Sequence, residues 1–436
     1  MTVPAAQHGR QHRHRRGARL LALPGAAALL GAVTLAAAAC QGAPRPPAAS
    51  APVTSPPPTA AALTISPADG SRDVTTGGAV TVTPVHATVT GITVTLHGRP
   101  VEGTVSHGGT VWHSRWALHT SSTYRVTATG RSGTGQAVSA ASSFRTMTPP
   151  ATIGVQILEG YQQAYGVGMP IVLTFSRPVT RKAAVERALE LTTSRRVVGA
   201  WSWNGDQTLY FRPRDYWPQN TRVRFTGHFD GLRAAPGVYG TADLTQDFRI
   251  GPSLIVTLST RSHYLKAWYR GKVLGSWPIS TGRPGYDTPN GTYLTLEKGN
   301  PVRMVGADYD LLVPYAVRFT WSGMYIHAAD WSVAQQGIVN VSHGCVNLSP
   351  AHAALYYSLA GQGDPVTVTG SPAPGTWGDG LTIWFWSWHR LVAGSALGLA
   401  VVAGPDGSQV ASPSSLGPWS VSSPVQGPAP GNSAAG

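Results

Sequence analysis

The chain has 436 residues, 42% of them apolar and 12% charged. That leaves room for two to four domains with their own cores and excludes wholesale disorder. The two cysteines, Cys40 and Cys345, exclude a disulfide scaffold and any thiolate-rich zinc or iron–sulfur site. The formal charge of +14 admits nucleic acid or an anionic cell surface as a partner.

Residues 1–39 carry five arginines and no acid, then an apolar run from Leu20 to Ala39. This is the basic and apolar layout of an export signal. Its end, Leu35-Ala36-Ala37-Ala38-Ala39-Cys40, resembles a bacterial lipobox in which Cys40 becomes the lipidated first residue, although Ala37 stands where Leu is usual. An uncleaved anchor, or ordinary cleavage nearby, is the alternative, and both Sec and twin-arginine export stay open. Removing the leader lowers the charge from +14 to +9, which argues against nucleic acid. Residues 40–62 read as a Pro/Ala/Ser tether. The bulk of the chain is expected outside the cytoplasm, lipid-anchored on the outer face of the cell membrane and reaching the wall.

The fold class expected is mainly β. Residues 63–148 alternate Val and Thr, as in Val80-Thr81-Val82-Thr83 and Ile92-Thr93-Val94-Thr95-Leu96, which predicts an immunoglobulin-like sandwich. Residues 149–250 repeat the theme with strands at 171–175, 208–211 and 223–225 and a short helix over 181–189. His86, His97, His107, His113 and His119 are scattered singly over this β-rich sequence and read as solvated strand or loop residues rather than a metal site; no metal or cofactor is expected. Residues 251–371 form a third, β-rich domain. Strands at 254–258 and 264–269 are followed by a hairpin turn at Gly271-Lys272, a returning strand at 273–279 and a closing strand at 364–369.

Chemistry concentrates at Ser342-His343-Gly344-Cys345. Cys345 is the only cysteine inside a predicted domain. Gly344 removes a side chain beside it and frees backbone N–H groups for an oxyanion. A nearby imidazole favours the thiolate. His343 is adjacent but points away on an extended backbone; His327 ends the alternating strand Met324-Tyr325-Ile326-His327 and is the preferred base. Ser349 then caps a helix that starts at Pro350 and runs to Gly361. A buried cysteine acting as a small hydrophobe is the bland alternative.

His327, fourteen intervening residues, and then Ser342-His343-Gly344-Cys345-Val346-Asn347 resemble the signature of L,D-transpeptidases of the YkuD type. The two Ig-like domains, the lipobox and an aromatic tail resemble the mycobacterial and other actinobacterial members. The resemblance implies that Cys345 attacks the third residue, diaminopimelate, of a peptidoglycan tetrapeptide stem, expels D-alanine, and passes the acyl group to a diaminopimelate side-chain amine on a second stem. It implies His327 as base and acid, and Gly344 and Cys345 N–H groups as oxyanion donors. It implies substrate contacts at Ser322, Gly323 and Asn347, with Met304 and Trp331 lining the cleft, and acylation by carbapenems. Ala328 follows the histidine where relatives often carry Ser, so the group orienting the imidazole is a backbone carbonyl or Ser342. Tyr309 and Tyr315 are both candidates for a lid tyrosine. Competing readings keep the acyl-enzyme but use water or a protein amine as acceptor, or make the chain a non-catalytic wall-binding lipoprotein.

Residues 372–403 hold Trp377, Trp384, Trp386 and Trp388. This extension is expected to dock on a domain surface; the apolar stretch 381–403 offers membrane insertion as the alternative. Residues 404–436 are expected to be disordered.

Overall fold

The structure is a computed structural model that describes residues 60–412. The leader, Cys40 and nearly all of the tether lie outside the described residues.

The first region is a sandwich of a four-stranded and a five-stranded sheet. Strand Thr123–Ser132 buries Tyr124, Val126 and Ala128 and exposes the residues between them, the two-residue period of a half-buried strand. Val80 and Val82 from the opposite sheet join them in one core around Trp112 and Phe144.

Most strands of the second region join in one hydrogen-bonded order from Val155–Ile157 at one end to Ala164–Tyr165 at the other, and Ala151–Thr152, Val238–Tyr239 and Arg233–Ala235 form a small separate sheet. Leu173 and Phe211 near one end share a core with Val223 and Ile250 near the other, so the sheet folds over on itself as a sandwich. The expected helix is present at Lys182–Arg187. One member of the sheet comes from the far end of the chain. Ala400–Gly404 lies between Val197–Asn204 and Leu189–Thr193 and turns back as Gly407–Ala411. The disordered tail expected from 404 is therefore corrected over 404–411. Ala400, Val401 and Ala403 are buried, and their small side chains close the gap between the two flanking strands.

The Trp-rich extension packs onto this second region. The Trp384 indole N–H donates to the Gly168 carbonyl at 2.7 Å. Its ring stands edge-on to Tyr216, with the Arg212 guanidinium 4.2 Å above it. Glu186, 4% exposed, accepts from the Trp203 indole, the Ser395 hydroxyl and the Ala396 and Leu397 N–H groups. Among the described residues no helix is long and apolar enough to cross a membrane; the helix of the extension is Trp388–Ala393.

The third region pairs a five-stranded sheet with a four-stranded one. The latter runs in the order Glu297–Gly299, Ala316–Arg318, Tyr325–Ala328, Val346–Leu348. The hairpin joining Tyr264–Tyr269 to Lys272–Pro278 turns at Arg270-Gly271, both at positive φ, one residue earlier than predicted. Helix Pro350–Leu359 starts as expected, with the Ser349 hydroxyl accepting from the His352 N–H. It buries Ala353 and Tyr356 in the same core as Ile326 and Val346. The strands carrying His327 and following Cys345 are thereby held from behind.

Candidate active site

Strands Tyr325–Ala328 and Val346–Leu348 pair in parallel, with His327 opposite Asn347 and Ile326 opposite Val346. Side chains alternate between faces along a strand. Cys345 precedes Asn347 by two, so Cys345, Asn347 and His327 all project from one face. They line a single cleft of about 260 Å³ together with Met304 and Trp331. Adjacent strands thus deliver a thiol and an imidazole to the same space, although their parent motifs lie eighteen residues apart.

His327 is 4% exposed. Its Nδ1 lies 2.8 Å from the Ala328 carbonyl oxygen. A carbonyl only accepts, so Nδ1 carries the proton and Nε2 is left with a lone pair. Burial lowers the imidazole to about 4, with the Ala328 bond pulling weakly the other way. Burial raises the Cys345 thiol to about 11, opposed by the Tyr325 backbone N–H. Burial thus disfavours both charged forms, thiolate and imidazolium, through the same desolvation. The sulfur also lies 3.9 Å from the Gly323 carbonyl.

The orienting group is the Ala328 carbonyl, one of the two alternatives. Ser342 does not meet the imidazole. Its hydroxyl donates to the Cys345 carbonyl at 2.6 Å and accepts from the Gly344 N–H at 3.1 Å. Ser342 is a brace across the turn, and the Gly344 N–H is already engaged. Gly344 itself sits at φ +119°, and an added Cβ meets Met324 Cε at 3.2 Å, so the turn requires glycine.

His343 lines the same cleft and meets the turn of a hairpin of Val302–Val305 and Asp310–Val313. Its Nε2 lies 2.9 Å from Asp308, and its ring packs on Tyr286 and Tyr309. The His343 contact, helped by Arg283, holds the Asp308 carboxyl below its ordinary value. This hairpin covers the cleft with Met304 and Tyr309. Tyr315 is not among the lining residues; it packs on Tyr357 behind the sheet, and the cleft tyrosine is Tyr309. Ser322 is not among the lining residues; its hydroxyl and backbone N–H are both held by Asp379 of the C-terminal extension at 2.6 and 2.7 Å.

Several supporting residues carried no signal in the sequence beyond being polar. The buried Thr288 hydroxyl donates to the Gly344 carbonyl and accepts from the Gly282 N–H. Asn340 accepts from Thr281 and donates to the Thr260 carbonyl. Gln335 enters the cleft from the turn after Trp331.

Residues 253–368 match the L,D-transpeptidase catalytic domain family, YkuD, and residues 71–233 match a bacterial Ig domain family. Over 348 residues the chain is 31% identical to L,D-transpeptidase 2 of Mycobacterium tuberculosis, covering 77% of this chain and 85% of that protein. It is 34% identical to L,D-transpeptidase 5 of the same species over 350 residues, 77% of each. To L,D-transpeptidase 1 it is 38% identical over 215 residues, 47% of this chain and 80% of that protein. A β-rich domain with a cysteine and a histidine on one sheet face, preceded by Ig-like strands, therefore belongs to the L,D-transpeptidase family. Its catalytic domain is of the YkuD type.

Proposed function

We propose that this chain cross-links peptidoglycan stems through a Cys345 acyl-enzyme. The observation that carries the reading is the shared face of His327 and Cys345, with the His327 Nε2 lone pair available in the cleft. Cys345 Sγ attacks the carbonyl of the third residue, diaminopimelate, in a tetrapeptide stem, and His327 takes the thiol proton as the C–S bond forms. His327 then returns that proton to the departing D-alanine nitrogen. The developing oxyanion is assigned to the Cys345 N–H, since the Gly344 N–H is bound by Ser342. A diaminopimelate side-chain amine of a second stem attacks the thioester and releases Cys345. Met304, Trp331 and Asn347 contact the stems.

The same reading places residues 63–250 as a spacer and 251–371 as the catalytic unit, with the extension at 372–403 tying the two together. Lipidation at Cys40 holds the whole on the outer face of the membrane, beside its wall substrate.

A chain starting near Leu63 is incubated with a carbapenem and its intact mass recorded beside Cys345→Ala. A stoichiometric adduct on the parent, absent from the variant, is expected. Muropeptide products then identify the acceptor: linked stems for transpeptidation, shortened stems for hydrolysis. A folded parent that takes no adduct sinks the proposal and favours a wall-binding lipoprotein.

A further inference from the structure

One outer face of the second Ig-like region is crowded with arginine. Strands Arg222–Gly227 and Leu244–Ile250 pair with Arg222 directly opposite Arg249 and Arg224 opposite Asp247. All three arginines line one recess of about 680 Å³. Asp247 takes the Arg224 guanidinium at 2.8 and 2.9 Å. Arg222 and Arg249 are exposed and have no ion pair among the described residues. Like charges set opposite each other weaken a sheet, so the pair is a cost that an anion between them removes.

The positive charge extends past the pair. Ser194 exchanges hydrogen bonds with the Arg222 backbone at 2.9 Å in both directions and leads into exposed Arg195 and Arg196. Arginines thus stand at one end of three neighbouring strands, with steps of about 5 Å from strand to strand. Asp247 is the only acid lining the recess, and exposed Asp406 follows the lining residue Pro405.

The chemistry of the recess says what covers it. Residues 1–59 and 413–436, outside the described residues, hold no Asp or Glu, so no acidic segment of this chain is available. A bilayer is a poor match: surfaces that enter one present exposed apolar side chains, whereas Val223 and Phe248 here are buried. A row of guanidiniums suits a chain whose anions recur, and each can grip a phosphate through two hydrogen bonds. Thr192 and exposed Gln162 line the same recess and supply hydroxyl and amide groups for uncharged hydroxyls between the anions.

We infer that this face docks a linear phosphodiester polymer of the cell wall, with a polyol or sugar between its phosphates. Arg222 and Arg249 hold the phosphates, and the second region grips the wall as well as spacing the catalytic unit. The inference uses the location proposed above and is independent of the acyl-enzyme.

The test uses the chain without its leader, poly(glycerol phosphate) as probe, and phosphatidylglycerol vesicles beside it, each titrated over a salt series. A double variant, Arg222→Gln with Arg249→Gln, is compared with Arg72→Gln plus Arg99→Gln, which removes the same charge from exposed positions of the first sandwich. The first variant is expected to bind the polymer about tenfold more weakly at low salt and to lose about 0.7–0.9 of log–log salt slope per arginine removed. The Arg72 and Arg99 variant is expected to bind as the parent does. Tm of the first variant is expected to hold or rise, since the opposed pair is gone, and its carbapenem acylation to stay parental. Equal weakening in the two variants reduces the effect to net charge and overturns the site. A parent that ignores the polymer, or binds the vesicles more tightly, overturns the partner. A parent that binds the polymer but never acylates sinks the acyl-enzyme reading alone and supports this face.

Discussion

His327 is tied to its own neighbour. Its Nδ1–H donates to the Ala328 carbonyl at 2.8 Å, a bond that needs no third side chain and survives any change at the following residue that keeps the backbone. With the imidazole lowered to about 4 and the Cys345 thiol raised to about 11, neither group is charged near neutrality. On the acyl-enzyme reading proposed above, activation belongs to the moment of attack, when proton and nucleophile move together.

Alkylation of Cys345 reads this directly. Iodoacetamide needs thiolate, so labelling is expected to be slow at pH 7 and to keep rising past pH 9, with no plateau. Carbapenem acylation, which uses the neutral imidazole, is expected to stay level from pH 8 down to about 5 and to fall toward 4. A labelling plateau near pH 7 would mean a resting thiolate–imidazolium pair.

Gly344→Ala tests the turn. The residue sits at φ +119° with Met324 Cε in the path of a new methyl, a strain worth about 1–3 kcal/mol at such sites. Acylation is expected to drop roughly tenfold or more, while circular dichroism stays native because the strain is local. A variant that acylates at the parental rate removes the glycine requirement.

Glu159 gives a stability signature away from the cleft. It is 1% exposed, and burial pushes its carboxyl up to about 8 against its own and the Val172 backbone N–H. The folded chain keeps a proton that the unfolded chain surrenders from about 4.5 upward. Stability from this group is therefore present at low pH and lost as pH rises to about 8. Glu159→Gln is expected to raise Tm at pH 8 and change it little at pH 5; parallel Tm–pH curves for the two proteins would argue against a protonated Glu159.

Trp384→Ala removes a buried ring, its bond to Gly168 and its contacts with Tyr216 and Arg212. Such deletions cost about 3–5 kcal/mol, readable as a lower urea midpoint. Ending the chain at Gly370 removes Ala400–Gly404 as well and is expected to be worse, opening the second sheet between Val197–Asn204 and Leu189–Thr193. Native melting of the shortened chain would show that the extension is dispensable.

The alternating Val and Thr residues announced the first sandwich because period-2 burial is local information. The motif around Cys345, the strand ending at His327 and the Ser349 cap were readable for the same reason. What escaped notice depends on distant residues. Nothing in Ser342 says that its hydroxyl closes on the Cys345 carbonyl rather than on an imidazole. Nothing in Ser322 reveals Asp379, 57 residues away. Tyr309 and Tyr315 are alike in sequence; only the hairpin register puts one over the cleft and the other behind the sheet. The strand at Ala400–Gly404 was hidden by its composition, since small residues of a solvated tail and small residues of a sheet gap look the same.

That strand has a consequence for how the molecule is made. A ribosome finishes the catalytic region well before it reaches residue 400, yet the second Ig-like region still lacks an internal strand. Until that stretch arrives the second region keeps an open edge between Val197–Asn204 and Leu189–Thr193, and residues 400–404 close it. A chain stopped before residue 400, even one carrying an intact His327 and Cys345, leaves the second region without the strand that joins its two flanking strands.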